Sequence, residues 1–262
     1  MSDILEELTA ARRRDAVLRE AEVPFAEMMR RAEAAPPPRD MAAKLGLAGS
    51  PRVIAELKRA SPSEGMIRED FRPVELAHEL EAAGAAVLSV LCEPHRFLGN
   101  EDYLRAVRAV VDVPILYKDF LSTRYQIASA RAAGADVVLL IAAVLDDPTL
   151  KDLLDFAHSL GLAALVETHN EEEIARAVQA GARIIGVNNR NLRDFSVDPQ
   201  RAGSLRKYAP ADALFVVESG MRTPADIQSA RDAGADAVLI GETLMRADDK
   251  AAMLRHLKGE SQ

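Results

Sequence analysis

The sequence predicts an α/β fold of the closed parallel (β/α)8 type, a TIM barrel, with an N-terminal helical extension. Three observations predict it. From Arg52 onward, short apolar segments alternate with segments that carry apolar residues at i, i+3 and i+4. The strand candidates number eight. They are apolar almost throughout, as strands buried on both faces are. A doubly wound open sheet is the rival, but no GxGxxG follows the first strand to support it.

The strands are RVIAELK from Arg52, AAVLSVL from Ala85, PILYKD from Pro114 and ADVVLLI from Ala135, then AALVE from Ala163, RIIGVNN from Arg183, LFVVES from Leu214 and DAVLIGE from Asp236. A fragmentary repeat supports this phase: LEAAGAAV, ARAAGADVV, AVQAGARII and ARDAGADAV each end a helix with glycine and enter a strand at once. Gly84, Gly134, Gly181 and Gly234 lie 47 to 53 residues apart, two βα units each. Helix starts carry their own signals. Asn170 with Glu173 reads as a capping box, and Thr223 followed by Pro224 as an N-cap with proline at the first helical position.

The whole chain, 1–262, reads as one domain, of which 1–50 is the extension. It is expected to be a long helix interrupted near Pro24, the PPP break at 36–38, and a short helix in DMAAKLGL. Leu5, Leu8, Phe25, Met28 and Met29 predict that it packs on one mouth of the barrel. The runs RRR (12–14) and EEE (171–173) read as solvated helix faces.

Net charge is −8, which disfavours nucleic acid and anionic membrane surfaces, so an anionic ligand must be held by local groups. MSDILEEL lacks the order of a secretion signal, and the longest apolar run, residues 137–145, is too short to span a bilayer. Cys92 is the only cysteine, which fits a reducing cytoplasm, and the five scattered histidines give no zinc-type spacing. No metal and no cofactor is expected.

In a closed barrel the active face is formed by the carboxyl ends of the strands. Polar residues converge there: Glu56 and Lys58 on strand one, Lys118 on three, Glu167 on five, Asn188, Asn189 and Arg190 on six, Glu218 and Ser219 on seven, Gly241 and Glu242 on eight. Glu56 and Lys58 share a face because side chains alternate along a strand. Among apolar walls, Lys118 is expected to lose part of its preference for the proton, as a usable acid or an imine-forming amine, and desolvation to shift Glu167 the opposite way. An acid facing a base is a proton-transfer pair. Gly220 and Gly241 suit a phosphate held on backbone N–H groups. Phe97 and Phe120 offer walls for a flat ligand. Cys92 reads as a small buried hydrophobe and His169 as a local hydrogen-bonding residue.

These motifs, AELKRASPS, SVL followed by Phe and Gly, KDF with YQI, LVET, IGVNNRNL, VESG and LIGETLMR, together resemble the indole-3-glycerol phosphate synthase family, as does PPRDMAAKL in the extension. The resemblance implies a (β/α)8 barrel of tryptophan biosynthesis. It implies closure of the indole ring of 1-(2-carboxyphenylamino)-1-deoxyribulose 5-phosphate with loss of carbon dioxide and water, without a cofactor. It makes Lys118 the general acid and Glu167 a proton acceptor in dehydration. Lys58 would contact substrate charge and share the acid work, and Glu56 and Asn188 would orient groups. Ser219, Gly220 and Gly241 map to the phosphate side. Glu218, Glu242, Ser61 and Arg190 join the substrate-contacting positions, with Phe97 and Phe120 near the aryl ring. The expected partner is a phosphorylated small molecule, and the expected state a monomer, with other tryptophan-pathway enzymes as further partners. Cys92, Leu98, Asn100, Tyr117 and Val217 depart from the family pattern. Glu242 would repel a phosphate, so its backbone N–H, not its carboxylate, is expected to face the ligand.

Three other readings compete. Phosphoribosylanthranilate isomerase would want a cysteine base at the end of strand one, where this chain has Glu56 and Lys58. A Schiff-base aldolase would use Lys118 or Lys58, and a catalytically silent binding barrel would need no acid–base pair.

Overall fold

A computed structural model describes residues 4–46, 52–191 and 194–260. Eight parallel strands close on themselves: β1 (Arg52–Leu57), β2 (Val87–Leu91), β3 (Ile115–Lys118), β4 (Val137–Ile141), β5 (Ala163–Thr168), β6 (Ile184–Asn188), β7 (Leu214–Glu218) and β8 (Ala237–Ile240). β1 pairs with β2 through Glu56 opposite Ser89, and with β8 through Ile54 opposite Leu239, so no edge is left and the open-sheet rival is excluded.

Alternation sorts each strand into two sides. Ile54, Val87, Leu116, Val137, Leu139, Leu165, Ile184, Val216, Ala237 and Leu239 fill the barrel, while neighbours such as Val53, Leu88, Val138 and Phe215 pack outward under the helices. Five of the helices after the strands begin on side-chain caps. Asn100, Thr123, Asp146, Asn170 and Thr223 each accept a backbone N–H from the first turn. Thr223 and Asp226 form the full capping box on α10 (Pro224–Asp232). Asn170 caps α8 (Glu171–Ala180), but the Glu173 carboxylate accepts from the N–H of His169 and the side-chain amide of Asn170 rather than from the Asn170 backbone N–H, so that box is half made. The four repeat glycines all hold positive φ, between 80° and 97°, as helix closure requires.

The extension is α1 (Ile4–Glu22), α2 (Phe25–Ala34) and α3 (Met41–Leu45), with its break at Val23–Pro24. It does not cover one mouth alone. Leu5 and Leu8 of α1 reach the strand ends, Met28 of α2 packs on Tyr125 and Ala128 at the flank, and Met41 and Leu45 of α3 join the apolar residues at the strand starts. The N–H of Arg39 donates to Asp136 Oδ1 at 2.6 Å, just before β4, and fixes α3 at that end. The chain must cross the barrel wall because each apolar cluster of the extension needs its own partner. A fully buried Met or Leu contributes about 1.5–3 kcal/mol.

The reading of RRR as a solvated face is corrected. Arg12 donates to the buried carboxylate of Asp119, Nη2 to Oδ2 at 2.7 Å and Nε to Oδ1 at 2.9 Å, and Arg13 reaches Ser122 at 3.4 Å. Of the EEE run, Glu171 and Glu172 are exposed and Glu173 is tied to the helix start. Among the described residues no helix is long and apolar enough to cross a membrane.

Candidate active site

Two residues beyond the apolar filling, the inward side of the strands turns charged. Glu56, Lys118, Glu167, Asn188 and Glu218 line one cavity of about 110 Å³ at the strand ends, with Lys58, Ser61, Arg190, Ser219, Phe97 and Phe120. A wider groove of about 890 Å³ runs along α1, but its titratable residues, Glu6, Arg13, Arg14 and Asp146, are all exposed there. The chemistry lies in the smaller cavity.

Lys118 Nζ sits 2.5 Å from Glu218 Oε2 and 3.6 Å from Glu167 Oε2. Lys58 Nζ lies 2.7 Å from Glu56 Oε1. Asn188 Nδ2 donates to Glu167 Oε1 at 3.1 Å, and Asn188 Oδ1 accepts the N–H of Arg190 at 3.0 Å. Three carboxylates thus surround Lys118 in a buried site. Burial alone pulls its pKa down, but Glu218, Glu167 and Glu56 overcome this and raise it above the usual lysine range. The expected downward shift is therefore reversed. The three carboxylates thus favour Lys118 as a charged donor.

Glu167 also moves against expectation. Burial pushes its pKa up, but Lys118, His169 and Asn188 bring it down to about 2. Glu218 shows the shift expected of Glu167: burial lifts it to about 7, aided by the negative charges of Glu167 and Glu56 and opposed by Lys118. Its second oxygen, Oε1, is buried and accepts no hydrogen bond from the described residues. Glu56 is lowered because Lys58 and Lys118 outweigh its burial.

Sequence reasoning missed several participants. His169, read as a local partner, does bind Glu173, with Nδ1 to Oε2 at 3.1 Å, but its Nε2 also lies 3.4 Å from Glu167 Oε1. Burial lowers its pKa, and the two carboxylates more than reverse this, to about 10. Gly186 was not singled out, yet a Cβ there would collide with Glu218 Oε1. A Cβ on Gly241, assigned to phosphate, would likewise collide with the Glu56 carboxylate. These two glycines, one within β6 and one just after β8, make room for the acids of neighbouring strands, and a period-two pattern shows only the acids.

Phe97 and Phe120 meet with ring centroids 6.1 Å apart. Buried Glu93 holds the loop beneath them by accepting the N–H groups of His95, Arg96 and Phe97 at 2.7, 2.7 and 2.8 Å. Ile4, Leu5 and Leu8 complete the apolar wall. A polar recess of about 60 Å³ adjoins the cavity, lined by Ser219, Gly220, Arg222, Gly241, Glu242 and Thr243 together with Glu56, Lys58 and Arg190. Ser219 and Gly220 both hold positive φ, 66° and 86°. For Ser219 that costs about 1–3 kcal/mol, and such strain is concentrated at functional sites. Asn189 does not face the cavity. Its Oδ1 accepts the Ala202 N–H and its Nδ2 donates to Ser219 O at 3.3 Å, supporting the loop from behind. The Glu242 carboxylate turns to Arg190 at 3.4 Å and Arg246 at 3.2 Å.

The family model of indole-3-glycerol phosphate synthase matches residues 5–257. The chain belongs to the indole-3-glycerol phosphate synthase family. Its activity is that of an indole-3-glycerol phosphate synthase, a carboxy-lyase of tryptophan biosynthesis. Relatives bearing that name include one from Lachnoclostridium phytofermentans, 53% identical over 205 residues, which cover 78% of this chain and 76% of that protein. One from Azoarcus sp. is 46% identical over 264 residues, 99% of this chain and 100% of that protein. Among solved structures, a 3-hexulose-6-phosphate synthase superposes with a TM-score of 0.65 at 17% identity, covering 80% of this chain and all of the other, a likeness of fold alone.

The departures from the family pattern have local explanations in this synthase. Cys92 is buried, its thiol directed at Val90 O at 3.5 Å and its pKa raised by burial, as befits a packing residue. The Tyr117 hydroxyl points away from the cavity to Glu101 at 3.3 Å, and Val217 packs in the outer core. Asn100 caps α5 (Glu101–Arg108). Leu98 holds φ of 51°, a left-handed conformation that glycine adopts more readily than leucine.

Proposed function

We propose that Lys118 is the general acid of ring closure and Glu167 the proton acceptor of dehydration. The substrate is 1-(2-carboxyphenylamino)-1-deoxyribulose 5-phosphate. Its aryl ring lies against Phe97, Phe120, Leu5 and Leu8, and its phosphate on the backbone at Gly220 and Gly241. Lys58 and Arg190 contact substrate charge, with Ser61 beside them. As the carboxyl-bearing ring carbon bonds to the ketone carbon, Lys118 donates a proton to the ketone oxygen. The bond to the carboxylate breaks, carbon dioxide leaves, and the ring regains aromaticity. Protonated hydroxyl then leaves as water while Glu167, steadied by Asn188 and His169, takes the proton from the adjacent carbon. Glu218 orients Lys118 and returns its proton, and Glu56 holds Lys58 through their ion pair.

One observation carries this reading: a largely enclosed ammonium lies between two buried carboxylates of opposite pKa shift, 2.5 and 3.6 Å away. Such a pair supplies both protonation states at neutral pH. Enclosure in the cavity adds orientation, an effect of several kcal/mol up to about 7–11 kcal/mol. The raised pKa of Lys118 favours this reading over an aldolase, and the intact pair favours it over a silent binding barrel. We further propose that the enzyme works as a cytoplasmic monomer. The test is indole fluorescence on adding substrate to purified protein, which has no Trp to obscure it. A rise is expected. No rise with substrate still bound would overturn the assignment of roles.

A further inference from the structure

The structure assigns Arg246 as a positioning residue for the loop after β1, a role that rests on the reading of this cavity given above. That loop carries Lys58 and Ser61 into the site and is itself a small hairpin, Ala60 pairing with Met66 and Ser61 with Gly65. Arg59 O accepts the N–H groups of Ile67 and Arg68 at 3.0 and 3.1 Å, and Ser61 Oγ accepts the N–H of Glu64 at 3.3 Å. The hairpin is therefore one braced unit, and whatever holds Glu64 at its tip also holds Ser61 beside it and Lys58 at its base.

Arg246 does so from 182 residues away in sequence. It ends the short helix α11 (Glu242–Arg246) after β8, and its Nη2 reaches Glu64 Oε2 at 2.9 Å. Its Nε lies 3.2 Å from Glu242 Oε1, and Glu242 Oε2 lies 3.4 Å from Arg190 Nη2. Four charges of alternating sign thus run from the β1 hairpin through the β8 loop to the β6 loop, around the polar recess. This also answers where the Glu242 carboxylate points: it bridges two arginines along the rim. A phosphate entering the recess competes with Glu242 for Arg190. Glu242 then turns wholly to Arg246, and the hairpin is held while the substrate is bound.

These side chains are partly exposed, so the network is worth the modest energy of rim pairs and is screened by salt. In full-length enzyme at low ionic strength, Arg246→Met should raise KM about threefold to fivefold with kcat nearly unchanged. Trypsin should cleave after Lys58 or Arg59 faster by a similar factor. Glu64→Gln, at the exposed tip, should give the same two shifts without a question of folding, and Arg246→Lys should restore part of both. At high salt the variants and the wild type should converge. Wild-type KM and cleavage rates in both variants at low salt would overturn the role, as would shifts that persist at high salt. The cleavage assay needs no turnover, so a wild type that made no indole product would count against the functional reading alone.

Discussion

The starts and the ends of the barrel strands are built from the same four strands on the same face, yet they carry opposite chemistry. Ile54, Leu116, Leu165 and Val216 lie in the apolar filling, and two residues later stand Glu56, Lys118, Glu167 and Glu218. The lower layer is packed with apolar side chains, Met41 and Leu45 among them. The upper layer gathers one buried lysine with three buried carboxylates, and a buried ion cluster of this kind contributes little net stability because desolvation offsets attraction. The difference teaches that in this molecule stability comes from the lower layer and acid–base chemistry from the upper.

Gly186→Ala should break the division most sharply, because it intrudes a methyl on the Glu218 carboxylate within the upper layer. Activity is expected to fall about tenfold or more as Glu218 is displaced from Lys118, with about 1–3 kcal/mol of destabilisation. Steady-state kinetics beside urea melts would check it, and unchanged kinetics would mean that the cradle is idle.

A smaller effect should appear in the pH dependence. Glu218 has its pKa raised to about 7, so it is neutral below that pH and ionised above it. If its ionised form orients Lys118, kcat/KM should rise through a midpoint near 7, and Glu218→Gln should erase that inflection. For stability the sign is fixed as well. His169, raised to about 10, contributes below its unfolded value near 6.5 and loses that contribution as pH rises through about 10. Glu167, lowered to about 2, contributes above its unfolded value near 4.3 and loses it as pH falls toward 2. Melting temperatures should thus decline at both limits.

The smallest change is expected from Leu98→Gly. It relaxes a residue at φ 51° and should stabilise by up to about 1 kcal/mol, less the extra freedom glycine gains in the unfolded chain. Thermal melts decide it, and a loss of stability would mean that the Leu98 side chain contributes packing.

Much of this was legible in the sequence because barrel strands obey a period of two, so a charge at the end of IAEL or ILYK must share a face with the apolar residue two positions before it. The eight strands and the residues of the cavity follow from that rule and from the helix-closing glycines. What stayed hidden depends on neighbours distant in sequence. Lys118 is raised first by Glu218, which lies 100 residues away, and Glu167 is lowered by Lys118 and then by His169. Gly186 has no periodic signature, since its function is the space it leaves. Arg12 looked solvated because nothing in RRR announces Asp119, and the extension was placed at one mouth because its apolar residues do not say which end of the barrel each will meet.

The most direct measurement compares Lys118→Met with Val137→Ala in the same indole fluorescence assay, each checked for fold by circular dichroism and thermal melting. Lys118→Met should lower the rate by about 10²–10⁴-fold while retaining the barrel. Val137→Ala, in the lower layer, should keep the rate within a few fold while losing about 2 kcal/mol of stability. A Lys118→Met enzyme that closes the ring at the wild-type rate would contradict the account, as would parallel losses of rate and stability in both variants.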